Sequence, residues 1–236
     1  MPLLAPMPQV LLSVEELLAF GTQWAANGQR LSRTPPYSSM QLGNLANAAV
    51  ASALATMLGG LQVLPPLNAN SLLPPNPDCV ELGEIRIIGG IRPQNFDVGY
   101  RPDGVRFAFD SKTLNDLKSV GKNYQNMIND LATEAATVHT RFPCAVVAFM
   151  VVIPSPCLVE PQRSALIGRL EGLNRRTNID EPAHLAEAMA LVAWNPATGL
   201  VDPASLAIGS SVRIEAFSNR VQEAYFSRYQ GMPPHL

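Results

Sequence analysis

The sequence predicts a single α/β domain spanning residues 1–236, and three stretches carry that prediction. Residues 144–154, CAVVAFMVVIP, are an unbroken apolar run with the length of a strand covered on both faces. Residues 114–140 place Leu117, Val120, Tyr124, Met127, Ile128 and Leu131 at helical spacing. Between 94 and 112, two alternating segments flank Pro102-Asp103-Gly104, residues that favour a tight turn. Strands interleaved with helices build a helix-covered sheet, and no internal repeat or composition break divides the chain.

The elements follow in order. Residues 13–31 read as an amphipathic helix, with Ser13 as N-cap and Glu16 completing a capping box. RTPPYSS breaks it, and an uncharged helix follows at about 39–60. A Pro/Asn-rich connector (64–78) leads to CVELGEIRIIGG (79–90), an Ile- and Val-rich strand ending on two glycines. The hairpin at 94–112, the helix at 114–140 and the strand at 144–154 complete a run of helix, three strands, helix, strand. Beyond it, 161–176 is expected to be helical with Pro161 in the first turn. Residues 181–196 are expected to run from helix into strand, and 210–231 to form a strand, a helix or both.

Composition narrows the function. With 47% hydrophobic and 15% charged residues the chain is globular, and a net charge of −2 gives no overall basic field to attract a polyanion. Cys79, Cys144 and Cys157 are widely spaced and join no histidine in a zinc-ligand pattern. They read as buried free thiols in a reducing, cytoplasmic protein. Residues 34–77 carry no charge, but the stretch 40–61 is only modestly hydrophobic and is followed by five prolines. A buried or interface helix is therefore expected there, with no membrane partner. No basic residues precede the first apolar stretch, so no secretory signal is expected.

The hairpin holds the chemistry. Alternation sends Val105, Phe107, Phe109 and Ser111 one way and Arg106, Ala108, Asp110 and Lys112 the other. On the preceding strand Phe96, Val98 and Tyr100 oppose Asn95, Asp97, Gly99 and Arg101. If paired residue numbers sum to 207, with a loop of Pro102 to Val105, Asp97 stands opposite Asp110. Facing carboxylates repel, so stability alone does not select this pair. A Mg²⁺ ion between them removes the penalty. Lys112, on the same face as Asp110, could orient or help deprotonate an attacking water and offset charge on a phosphate. The small Gly99 and Ala108 would leave room for a substrate backbone.

Asp97, then Asp110-Ser111-Lys112 thirteen positions on, in this order of elements, resembles the PD-(D/E)xK nuclease superfamily, which includes type II restriction endonucleases. The resemblance covers about residues 39–154, and it implies a restriction-endonuclease-like core with a mixed central sheet. Residues 155–236 then form a C-terminal elaboration suited to DNA recognition. It further implies Mg²⁺-dependent hydrolysis of double-stranded DNA, with Mn²⁺ as a substitute. Asp97 and Asp110 become metal ligands and Lys112 the catalytic lysine. The literal Pro102-Asp103 lies in the turn, so Asp97 takes the place of the first acid. Family members often carry another acid on the helix before the first strand. The 39–60 helix has none, leaving Glu81 or Glu84 as substitutes.

The chain has three lysines, Lys112, Lys118 and Lys122, against fourteen arginines. Lys118 and Lys122, four apart on a helix, are candidates for phosphate contacts, with a solvated helix face as the competing reading. Arg169, Arg175, Arg176, Arg213, Arg220 and Arg228 could add DNA contacts, although ordinary surface roles are favoured for them. No phosphate-binding Gly-rich loop, nucleophile elbow or His-activated Ser or Cys is present. Cutting both strands of a palindrome favours a homodimer, with the uncharged helix as a candidate interface. A repair or recombination nuclease and a non-catalytic interaction protein of the same fold are the alternatives.

Overall fold

The computed structural model describes residues 3–235, in which six strands form one mixed sheet with strands in chain order, packed by five α-helices. The strands are β1 (Gln62–Leu64), β2 (Cys79–Ile88), β3 (Pro93–Tyr100), β4 (Phe107–Thr113), β5 (Val146–Pro154) and β6 (Ala188–Trp194). β2, β3 and β4 are antiparallel neighbours, whereas β1 joins β2, and β5 and β6 join β4, in parallel. Every residue of β5 and β6 is buried, as the unbroken apolar run at 144–154 predicts.

The helices are α1 (Val14–Ala26), α2 (Ser39–Met57), α3 (Val120–His139), α4 (Gln162–Leu173) and α5 (Ile214–Tyr229). Ser13 caps α1 by accepting from the Glu16 amide, and the full reciprocal capping box forms at α2 between Ser38 and Gln41. α2 lies across the sheet, burying Leu42, Ala46, Val50, Leu54 and Met57, and approaches most closely at Gly43. A Cβ on Gly43 would stand 2.9 Å from Ser111 Oγ. The lack of charge in α2 thus reflects burial within one chain. Of the two expectations for this stretch, a buried or an interface helix, the burial of α2 on the sheet fits the first. No helix among the described residues is long and apolar enough to cross a membrane.

Several boundaries move. α3 begins at Val120 rather than 114, because Leu114 to Ser119 are held elsewhere. The Leu114 amide bonds Val152 O, and Trp24 Nε1 and the Leu31 amide donate to Asn115. Residues 182–187 form no helix before β6, and 210–231 resolve into turns followed by α5 alone. β1 has no counterpart in the sequence reading. Cys79 and Cys157 are buried as expected, but Cys144 is exposed.

The C-terminal arginines are mostly structural. Glu187, fully buried at the start of β6, accepts from Arg176 Nη1 at 2.7 Å and from the Val147 amide at 2.8 Å. It also lies 2.9 Å from Arg228 Nη2 and 3.2 Å from His139 Nε2. Burial pushes its carboxyl up, but His139 and Arg228 outweigh that and hold it below the usual carboxylate value. Arg220 donates to the carbonyls of Glu187 and Asn174. Arg213 pairs with Glu215. These side chains are therefore corrected from candidate DNA contacts to packing; Arg169 and Arg175 stay exposed. Truncation of Glu187 to Ala should cost about 3–5 kcal/mol, because it strands buried cations. Urea unfolding would show this as a lower midpoint, and Arg176→Ala should behave alike.

Candidate functional site

The hairpin adopts the expected register. Val98 pairs with Phe109, Gly99 with Ala108 and Tyr100 with Phe107, so paired numbers sum to 207. The ladder closes at Tyr100 and Phe107, and the loop between the strands is Arg101 to Arg106. Val98 and Phe109 form its last pair, so Asp97 and Asp110 stand just beyond it, where the strands part. Their carboxyls are close enough for each to perturb the other's ionisation. Asp97 Oδ2 also accepts from the Ser111 amide at 3.2 Å and lies 3.3 Å from Ser111 Oγ, which is equally far from Gly43 O on α2. The acids line a small cleft with Asn44 and Asn47 of α2. Gly99 and Ala108 leave no room for substrate, since both are buried and a Cβ on Gly99 would stand 3.2 Å from Ile85.

Phe109 and Ser111 face one layer, against Phe217 of α5 and Gly43 of α2. Lys112 reaches the other layer, toward α3, while Asp110 stands between it and the cleft. Lys112 Nζ bonds Asp110 Oδ2 and, at 2.9 Å, Glu134 Oε1, which also accepts from Gln94 Nε2 at 3.1 Å. Glu134 is buried, and its second oxygen has no partner among the described residues. Glu134 falls on the buried stripe of α3 between Leu131 and Val138. An acid at such a position signals a buried partner, a signal the sequence reading did not use.

Burial and then the neighbouring Asp110 charge push the Asp97 carboxyl up to about 7. Burial also raises Asp110, the Lys112 charge opposes this and Glu134 adds to it, leaving Asp110 at about 6. Near neutrality the pair therefore shares a proton. Burial alone would lower Lys112, but Asp110 and Glu134 outweigh it and hold the ammonium above its ordinary value. Lys112 is thus a fixed cation, able to orient and to offset charge but not to take a proton from water.

The donor set fits a hard cation. Two carboxyls converge in the cleft, which Asn44 and Asn47 of α2 also line. Oxygen donors with room for water suit Mg²⁺ or Mn²⁺. No group of three or more His, Cys, Asp or Glu with metal-ligand geometry occurs among the described residues, so any metal here would rest on two carboxylates and neutral oxygens. Neither proposed substitute acid joins in. Glu81 forms a buried bidentate pair with Arg101, both contacts at 2.7 Å, and Glu84 accepts from Asn95. Lys118 and Lys122 are exposed at the start of α3, with no side-chain partner among the described residues. Comparison with family models, curated proteins and solved structures finds no match to this chain.

The raised pair gives a pH-dependent stability with a definite sign. A carboxyl raised from 3.8 to about 7 stabilises the fold while protonated. That contribution is present at low pH and fades as pH rises through about 7. A cation bound by both carboxyls reverses the penalty. Added Mg²⁺ should therefore raise the melting temperature more at pH 8 than at pH 5.5. Asp97→Asn should raise the metal-free melting temperature at pH 8 and abolish most of the Mg²⁺ increment. Thermal unfolding of both proteins at the two pH values checks this.

Proposed function

We propose that this chain is a Mg²⁺-dependent endonuclease hydrolysing phosphodiester bonds in double-stranded DNA, in the manner of type II restriction endonucleases, as a cytoplasmic homodimer. The observation that supports it most is the Asp97–Asp110 pair where β3 and β4 part, Asp110 buried and Asp97 half-buried, with Lys112 fixed alongside. A hairpin selected for stability alone separates such carboxyls. Here Ser111 and Lys112 hold them together, leaving acceptor oxygens for a ligand of positive charge.

Asp97 and Asp110 would hold Mg²⁺, which would supply Lewis-acid stabilisation of charge growing on the phosphate and a more acidic water. Lys112 donates toward the non-bridging phosphate oxygens, where negative charge grows in the transition state. Glu134 and Gln94 fix its ammonium, so orienting it costs little at the moment of reaction.

Lys112 also bears on stability, since its loss leaves buried Glu134 without its ion pair; Lys112→Ala should lower stability as well as activity. Lys112→Gln keeps a hydrogen-bond donor and isolates the charge. It should bind DNA in Ca²⁺ as the native protein does, and cleave about 10²–10³-fold more slowly. Incubation with plasmid DNA and Mg²⁺ tests the reading directly. Discrete fragments are expected, a smear points to a repair or nonspecific nuclease, and intact plasmid leaves a non-catalytic binding protein. Ca²⁺ should permit binding without turnover, and undiminished cleavage in excess EDTA would rule the mechanism out.

A further inference from the structure

Beside the acid cleft lies a polar basin of about 480 Å³. The two share Ser39 and Thr113, so the basin adjoins the cleft at the C-terminal end of β4. Thr113 is three residues beyond Asp110, a run of about 10 Å along the strand. The basin is bounded by the turn after α1, the start of α2 and the turn entering α3. Arg30 and Arg33 line it, and neither guanidinium has an ion pair or hydrogen bond among the described residues. Asp116 is the one acid in the described lining, and its Oδ1 accepts from the Lys118 amide. The lining thus carries a net positive charge, and the exposed Lys118 and Lys122 follow directly in the chain.

The arginines project from braced backbone. Gln29 is in the left-handed region at φ 63° and its carbonyl accepts from the Leu117 amide. The Arg30 carbonyl accepts from Asn27 Nδ2, and the Leu31 amide donates to Asn115 Oδ1 at 3.1 Å. Asn115 also donates to Ser39 Oγ at 2.6 Å, tying this turn to α2. The turn is therefore fixed to the segment that follows the catalytic strand. The first amides of α3 already bond the Asp116 and Ser119 carbonyls, so anion affinity rests on side chains.

We infer that this basin is a phosphate-binding subsite that takes the DNA backbone flanking the scissile phosphodiester, with Arg30 and Arg33 as its recognition groups. It rests on the nuclease reading of the adjoining cleft. Unpaired guanidiniums on a rigid turn suit phosphate oxygens, which they can contact bidentately. A strand whose scissile phosphate lies at Asp97 and Asp110 has the shared Ser39–Thr113 border as its route onto that surface.

The test uses the full chain, a mixed-sequence DNA duplex of about 30 base pairs and Ca²⁺, with affinity read by fluorescence anisotropy over a range of salt. Loss of two phosphate contacts in an Arg30→Ala/Arg33→Ala variant should flatten the salt slope by about 1.8. Between about 50 and 200 mM salt its affinity should fall roughly tenfold less than that of the native protein. Arg30→Lys/Arg33→Lys should restore most of the slope. With Mg²⁺ and saturating DNA the Ala variant should keep its kcat and show a raised KM. Native protein that binds DNA with the same slope as the Ala variant overturns the subsite and leaves the nuclease reading standing. Native protein that binds no DNA overturns both.

Discussion

Two carboxyls held side by side away from water repel unless something between or around them compensates, and the centre of this protein is built around that constraint. Asp97 and Asp110 are brought together because the β3–β4 ladder fixes their register and then ends one pair short of them. α2 closes over the gap, with a glycine at position 43 because Ser111 Oγ fills the space a side chain would need. Ser111 donates to Asp97, and Lys112 to Asp110 and Glu134. The uncharged helix, the small residue at the crossing and the lysine on the adjacent strand thus serve one local geometry. Close packing makes such an arrangement discrete rather than adjustable.

The positive charge of the chain divides into two uses. Arg176 and Arg228 surround Glu187, and Arg101 forks onto Glu81, all at buried positions. Such guanidiniums hold strand ends and cannot leave their partners without stranding a buried charge. Arg30, Arg33, Lys118 and Lys122 are exposed. They lie on the turn after α1 and at the entry to α3, beside the C-terminal end of β4. An acidic chain can therefore present a local cationic surface beside its acid pair, because most of its other cations are engaged elsewhere. The net charge of −2 is consequently a poor guide to what that surface attracts.

How much of this was legible in the sequence depends on the range of the interaction. The hairpin register was legible because alternation has a period of two, and a slip by one residue would have sent Phe107 and Phe109 to the wrong side. The buried strand at 146–154 and the apolar stripe of α3 were legible for the same reason of local periodicity. The start of α3 was not, because its first residues are claimed by Trp24, Leu31 and Val152, distant partners that override helical propensity. The arginines were not separable by type either. Arg176 and Arg175 are neighbours in sequence, yet one is buried on Glu187 and the other is exposed. Asn47 and Glu134 were missed because each looked like an ordinary helix residue. Their significance comes from facing β3 and β4 across the sheet, which no local pattern records.

The charge balance at the cleft sets the conditions under which the acid pair could become two carboxylates. With a proton shared between Asp97 and Asp110, the group of Asp97, Asp110, Lys112 and Glu134 carries one net negative charge. Lys112 is already divided between Asp110 and Glu134, so it cannot neutralise Asp97 as well. Losing the shared proton would leave three carboxylates around one ammonium, in surroundings where burial already penalises each charge. A proton answers that demand below about pH 7, and above it no further cation among the described residues meets it. A divalent cation would answer it more fully, because its charge would be drawn to both acids at once and water could fill its remaining sites. The fold thus keeps a deficit of positive charge at the one place where β3 and β4 part.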